Sequence, residues 1–102
     1  MKINFADLED RKPMRIDLDG EPVCVARVGD EVFAIGDTCT HSDASLSEGE
    51  ITDGAIECWL HGAHFDLRTG AAITPPAVTA VKTFKVQRED GFVTISKGES
   101  NE

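Results

Sequence analysis

Cys39-Thr40-His41 and, after sixteen further residues, Cys58-Trp59-Leu60-His61 are the segments on which the reading of this chain turns. Each is a short clamp offering one thiolate and one imidazole. The chain has three cysteines and three histidines, and four of those six side chains fall into this pattern. A [2Fe–2S] centre with two Cys on one iron and two His on the other needs such a set, each clamp giving its Cys to one iron and its His to the other. A single tetrahedral zinc also accepts two Cys and two His, but zinc fingers usually pair Cys with Cys and His with His at spacings of a few residues. Here Cys and His alternate twice, and the first clamp has a single intervening residue. The blandest alternative is that these are unrelated buried cysteines and hydrogen-bonded histidines.

Bulk properties bound the rest. At 102 residues the chain is one domain, large enough for a core without disulfide staples. No stretch has the length and apolarity of a membrane-spanning helix, and Met1-Lys2-Ile3-Asn4-Phe5 lacks a signal-peptide core, so a cytoplasmic location is expected. The net charge of −9, from 19 acidic and 10 basic residues, argues against phosphate backbones and anionic membranes as partners. It suits a partner with a basic docking surface, or simply keeps the protein soluble. A cluster core whose charge is cancelled by two thiolates leaves that balance unchanged until reduction adds one negative charge. Cys24 lies in the apolar run Pro22-Val23-Cys24-Val25-Ala26 and reads as a small buried hydrophobe.

Along the chain the pattern is all-β, with no sustained helical periodicity. Met14, Ile16 and Leu18 alternate with charged neighbours before the turn Asp19-Gly20. Val23 to Val28 and Val32 to Ile35 form a hairpin around Gly29-Asp30. From Gly36 to about Glu50 the chain is rich in Asp, Ser and Gly, carries the first clamp, and has room for one helical turn at Ser42 to Leu46. Asp53-Gly54 marks another hairpin, leading into Ala55 to Cys58 and placing the second clamp at a strand end. His64 to Leu67 reads as a short strand. Val81 to Val86 and Phe92 to Ser96 are two more, joined around Glu89-Asp90-Gly91, and residues 97–102 form a polar tail.

Gly62 after the second clamp histidine, and Pro75-Pro76 downstream, complete a pattern that resembles the Rieske family over nearly the whole chain. The resemblance implies an all-β Rieske fold, with an antiparallel, sandwich-like base in a single domain spanning 1–102. A cluster-binding subdomain would occupy about 37–77. It also implies one [2Fe–2S] cluster held by Cys39, His41, Cys58 and His61. Thr74-Pro75-Pro76-Ala77 suits the proline-containing loop that covers the cluster in that family, with a simple turn between strands as the lesser competing reading.

High-potential Rieske proteins of respiratory chains carry an extra disulfide between the clamp loops and place a Ser and a Tyr hydroxyl after the second histidine. This sequence has Ala44 and Leu60 at the disulfide positions and Ala63 and Phe65 at the hydroxyl positions. Neither Ala nor Phe donates a side-chain hydrogen bond, so the reduced centre is less stabilised and the potential is expected at the low end. The chain is thus similar to the Rieske ferredoxins of aromatic-ring-hydroxylating dioxygenases. That implies a non-catalytic carrier taking single electrons from an NAD(P)H-dependent flavin reductase to a terminal oxygenase. A ferredoxin of another redox or Fe–S assembly-linked system is the nearest alternative, and a zinc-stabilised binding module is one of a different class. His64 reads as an exposed polar residue alternating with Phe65 and Leu67. Trp59 reads either as a docking residue or as a shield packed inside the subdomain.

Overall fold

The computed structural model describes residues 2–38, 44–52, 54–59, 62–73 and 80–96. Its strands are β1 (Lys2–Asn4), β2 (Met14–Leu18), β3 (Glu21–Val28), β4 (Glu31–Gly36), β5 (Ile51–Thr52), β6 (Ala55–Glu57), β7 (His64–Asp66), β8 (Lys85–Glu89) and β9 (Phe92–Ser96). Single 3₁₀ turns occur at Phe5–Asp7 and Leu46–Glu48. The strands form three antiparallel three-stranded sheets, in the orders β1-β9-β8, β2-β3-β4 and β5-β6-β7. The all-β expectation holds.

The hairpins follow from local chemistry. Asp19-Gly20 joins β2 to β3 with φ values of 54° and 85°, and Asp90-Gly91 joins β8 to β9 with 40° and 85°. Such two-residue turns, with both residues in the left-handed region, match the right-handed twist of the strands they connect. They set the registers that pair Leu18 with Glu21 and Glu89 with Phe92.

The β2-β3-β4 sheet is the middle layer. Val23 to Ala26 in β3 are all fully buried, because side chains alternate between two covered faces. Val23 and Val25 join Ala34 of β4 in a lower core with Ile16, Val93 and Ile95, against the β1-β9-β8 sheet. Cys24 and Ala26 join Ile35 in an upper core with Leu46, Ile56, Cys58, Ala63 and Phe65, against the β5-β6-β7 sheet.

One local expectation is corrected and one strand is added. The strand expected over Val81 to Val86 begins only at Lys85. Upstream of it, Gly36 N–H donates to the Lys82 carbonyl, Phe84 N–H donates to the Ala34 carbonyl, and Thr83 bridges Ile35. That stretch therefore runs beside β4 as an irregular strap, with Val81 in the upper core and Phe84 in the lower. The N-terminal strand β1 was not anticipated: three residues are too few to show alternation, and it exists through pairing of Lys2–Asn4 with Phe92–Thr94. Of the stretch with room for one helical turn, Ser42 lies outside the described residues and Leu46 opens the 3₁₀ turn Leu46–Glu48. Ser42, Asp53 and the tail 97–102 lie outside the described residues.

Candidate metal centre

The second clamp occupies the connection between β6 and β7. Glu57 pairs with His64 at the last register position of the hairpin. Immediately beyond it, Cys58 N–H donates to the Ala63 carbonyl at 2.6 Å, and Gly62 N–H donates to the Cys58 carbonyl at 2.9 Å. These bonds tie Cys58 to Gly62 and Ala63. Gly62, at φ 77°, supplies the left-handed residue the loop needs. On the strand side, Glu57 N–H donates to the Glu50 carbonyl at 2.8 Å. A Cβ on Gly49 would stand 1.7 Å from the Glu57 carbonyl oxygen, so only glycine lets the two backbones approach this closely. Cys58 is thus fixed from both sides by main chain.

Cys58 is fully buried, with Ala63 and Phe65 in the same core. Its neighbour Trp59 is 51% exposed, which decides between the two readings of that residue: it faces solvent instead of packing as a shield. Ile73, tied by its N–H to the His64 carbonyl, is 52% exposed and carried no sequence signal. His64 is half-buried on β7, not the exposed residue expected. Leu60 and His61 lie outside the described residues.

Of the first clamp, Cys39 and His41 also lie outside the described residues, as does the expected covering segment Thr74 to Ala77. Both ends of the first clamp segment are described. Thr38 bridges Ser45, and Leu46 N–H donates to the Asp37 carbonyl at 2.6 Å. Ser47 N–H donates to Asp37 Oδ1 at 2.8 Å. Asp37 is 1% exposed and is the one buried charged side chain among the described residues. Sequence reasoning passed over it as part of a polar loop. The available signal was the preference of Asp for accepting N–H bonds at the start of a helical turn, but its partner turn lies ten residues away.

Ala44 is buried at the position where a clamp disulfide would begin. Ala63 and Phe65 are buried beside Cys58 and offer no side-chain hydroxyl. Burial pushes the Cys24 thiol well above its ordinary range, and the charge of Asp37 adds to the effect. Cys24 is accordingly an inert core residue. Among the described residues, no three His, Cys, Asp or Glu side chains converge as a metal site, and Cys58 is the member of the clamp set that is described. Its setting fits an iron–sulfur centre: a soft sulfur donor, anchored by backbone, in a dry wall of Ala and Phe.

Comparison with known proteins agrees. Residues 2–85 match the Rieske [2Fe-2S] domain family. The chain is 43% identical over 89 residues to the ferredoxin component of biphenyl 2,3-dioxygenase from Rhodococcus jostii, covering 87% of this chain and 83% of the relative. In structure it resembles the ferredoxin of carbazole 1,9a-dioxygenase from Nocardioides aromaticivorans, with a TM-score of 0.91, 34% identity and 94% of each chain covered. A solved complex of reduced oxygenase and oxidized ferredoxin in carbazole 1,9a-dioxygenase contains a chain matched with a TM-score of 0.89 at 33% identity, covering 99% of this chain and 97% of that one. No helix among the described residues is long and apolar enough to cross a membrane.

Proposed function

The chain belongs to the Rieske [2Fe-2S] domain family and carries one [2Fe–2S] cluster, and from that premise we propose that it shuttles single electrons from an NAD(P)H-dependent flavin reductase to the terminal oxygenase of an aromatic-ring-hydroxylating dioxygenase. The proposed ligands are Cys39, His41, Cys58 and His61, within a cluster-binding subdomain of about 37–77 on a single domain. The chain has no catalytic residues of its own and works in the cytoplasm, where NAD(P)H supplies the reductase. When bound, the cluster takes up and gives back one electron at a time.

The observation that carries this reading is the pairing of a fully buried Cys58 with an exposed Trp59 in a family whose relatives are named as dioxygenase ferredoxins. Main-chain bonds around Cys58 hold the sulfur donor still, and the core excludes water on its inner side. Ala63 and Phe65 offer the centre no hydroxyl donor, which favours a low potential. Trp59 supplies an aromatic contact at the surface, the residue type enriched where partners bind tightly. The net charge of −9 steers encounter with a basic partner surface. The carbazole dioxygenase complex supports an oxygenase as the electron acceptor.

Reconstitution tests the reading. Purified chain is added to a flavin reductase and a terminal oxygenase of this class with NAD(P)H and aromatic substrate. Product should form only with all three proteins, and more slowly as salt rises. Trp59→Ala should slow electron transfer to the oxygenase while leaving the midpoint potential unchanged. A purified chain that binds zinc, with no iron or acid-labile sulfide, would overturn the electron-carrier reading in favour of a binding module.

A further inference from the structure

We propose that Asp37 is a positioning residue for the first clamp: its carboxylate and carbonyl together fasten Leu46 and Ser47 to the end of β4, one on each side in sequence of the residues that include Cys39 and His41. The inference rests on the ligand reading above and adds a role for a residue that neither binds iron nor lies on the surface.

The geometry is specific. Asp37 leaves β4 directly after Gly36, and its own N–H donates to the Pro22 carbonyl of β3 at 3.2 Å, which roots it in the middle sheet. Its carbonyl and its Oδ1 then accept the N–H groups of Leu46 and Ser47 at 2.6 and 2.8 Å. Those two groups open the 3₁₀ turn Leu46–Glu48, whose N-cap residue Ser45 makes no side-chain cap bond. The first N–H groups of a helical turn lack partners within the turn. Asp37 supplies them from ten residues upstream, and a carboxylate makes such bonds stronger than a neutral acceptor does. Thr38 and Ser45 bridge just inside the same closure. Leu46 is fully buried in the core that contains Cys58, so the fastened end is held in fixed relation to the second clamp. A carboxylate 1% exposed is costly to keep in a core unless its bonds are needed. Here they join the two ends of a ligand-bearing segment.

The test uses the holo-protein and three substitutions. Asp37→Ala and Asp37→Leu both remove the acceptor, the second while filling the space. Asp37→Asn keeps an Oδ1 acceptor. Amide hydrogen exchange in the wild type should show Ser47 protected, although it lies in a single 3₁₀ turn; an unprotected Ser47 amide overturns the proposal outright. In the Ala or Leu variant, exchange at Ser47 and loss of the visible absorbance to an iron chelator should each accelerate about tenfold or more, as expected when a charge-assisted bond is lost. Val25 and Ile95 amides should keep their wild-type protection, and the reduced-state EPR signal should broaden. The Asn variant should restore cluster retention to within about threefold of wild type, since an acceptor remains. Equal cluster loss in all three variants, or loss of protection at Val25 and Ile95 in step with Ser47, would reduce Asp37 to a packing residue. Because amide exchange at Ser47 reports the closure whether or not iron is bound, its outcome is separate from that of the ligand reading, which fails instead if Cys58→Ser retains the cluster.

Discussion

The two faces of β3 meet very different interiors. Below it, Val23 and Val25 pack against Ile16, Leu18, Val93 and Ile95, between sheets whose paired strands reach five and eight residues. Above it, Cys24 and Ala26 meet Ala44, Cys58 and Ala63 together with Leu46 and Phe65, beside strands of only two or three residues. Two close backbone approaches belong to the upper half. A Cβ at the turn glycines Gly20, Gly29, Gly54 or Gly91 would meet nothing within 4 Å. In the upper half, a Cβ at Gly49 or Gly70 would strike the carbonyl oxygen of Glu57 or Val81 at 1.7 or 2.3 Å. Both halves bury large aliphatic side chains, and the lower half is held besides by the longer ladders. The upper half is held by loops closing on main chain, and its small residues let those backbones come near enough to bond. A half that presents ligands gains from this: loop ends fixed by backbone can carry sulfur and imidazole donors without a long sheet beneath them.

The largest effect that would break this contrast lies at the ligand itself. Cys58→Ser should abolish cluster retention, since an alcohol is a poor iron ligand at neutral pH; iron and acid-labile sulfide analysis and the visible spectrum check it. The lower sheets should still fold, with Val93 and Ile95 amides protected from exchange.

Matched truncations sharpen the comparison next. Phe65→Ala in the upper core should cost about 3–5 kcal/mol and also speed cluster loss, because Phe65 is fully buried with Cys58. Ile95→Ala in the lower core should cost about 2–5 kcal/mol while leaving the spectrum of the folded fraction unaltered. Denaturant titration followed both by far-UV circular dichroism and by visible absorbance would show it. Equal bleaching in both variants would mean that the halves are not separable.

A smaller effect is expected at Cys24, on the upper face of β3. Cys24→Ser should retain the full visible spectrum and lose about 1–3 kcal/mol, the cost of burying a hydroxyl that lacks a partner. With the native thiol held above its ordinary value of 9.0, the folded state keeps its proton more firmly than the unfolded chain does. That contribution is fully present below pH 9.0 and fades as the pH rises above it. The wild type should therefore lose stability between pH 9 and 10.5 by more than a Cys24→Ala variant does, and alkylation of Cys24 in the native protein should be slow throughout.

The smallest predicted effect concerns the potential. With Ala63 and Phe65 in place of hydroxyl donors, the midpoint should lie at the low end of the Rieske range, roughly −150 mV, and vary little with pH near neutrality. Ala63→Ser combined with Phe65→Tyr should raise it, as read by redox titration against the reduced-state EPR signal. A wild-type midpoint well above zero would contradict the link between these apolar positions and a low potential.

How much was legible in advance follows the same division. Alternation along Met14–Leu18 and the pairs Asp19-Gly20 and Asp90-Gly91 announced the lower hairpins, because period-two patterning and left-handed turn residues are local properties. The Cys–His clamps and the downstream prolines were equally local and pointed to the family that residues 2–85 match. Other features were set only by contacts between distant parts of the chain. β1 forms because Lys2–Asn4 meets Phe92–Thr94. The stretch before Lys85 loses its strand because its hydrogen bonds go to β4 and its side chains split between two cores. The burial of Asp37, the exposure of Trp59 and the partial burial of His64 depend on what packs around each side chain, which residue type and spacing do not encode. By itself the sequence determined which atoms are available as ligands and where the chain turns. The tertiary structure alone decided which side chains are shut away from water, since burial is a property of neighbours brought together across long stretches of chain.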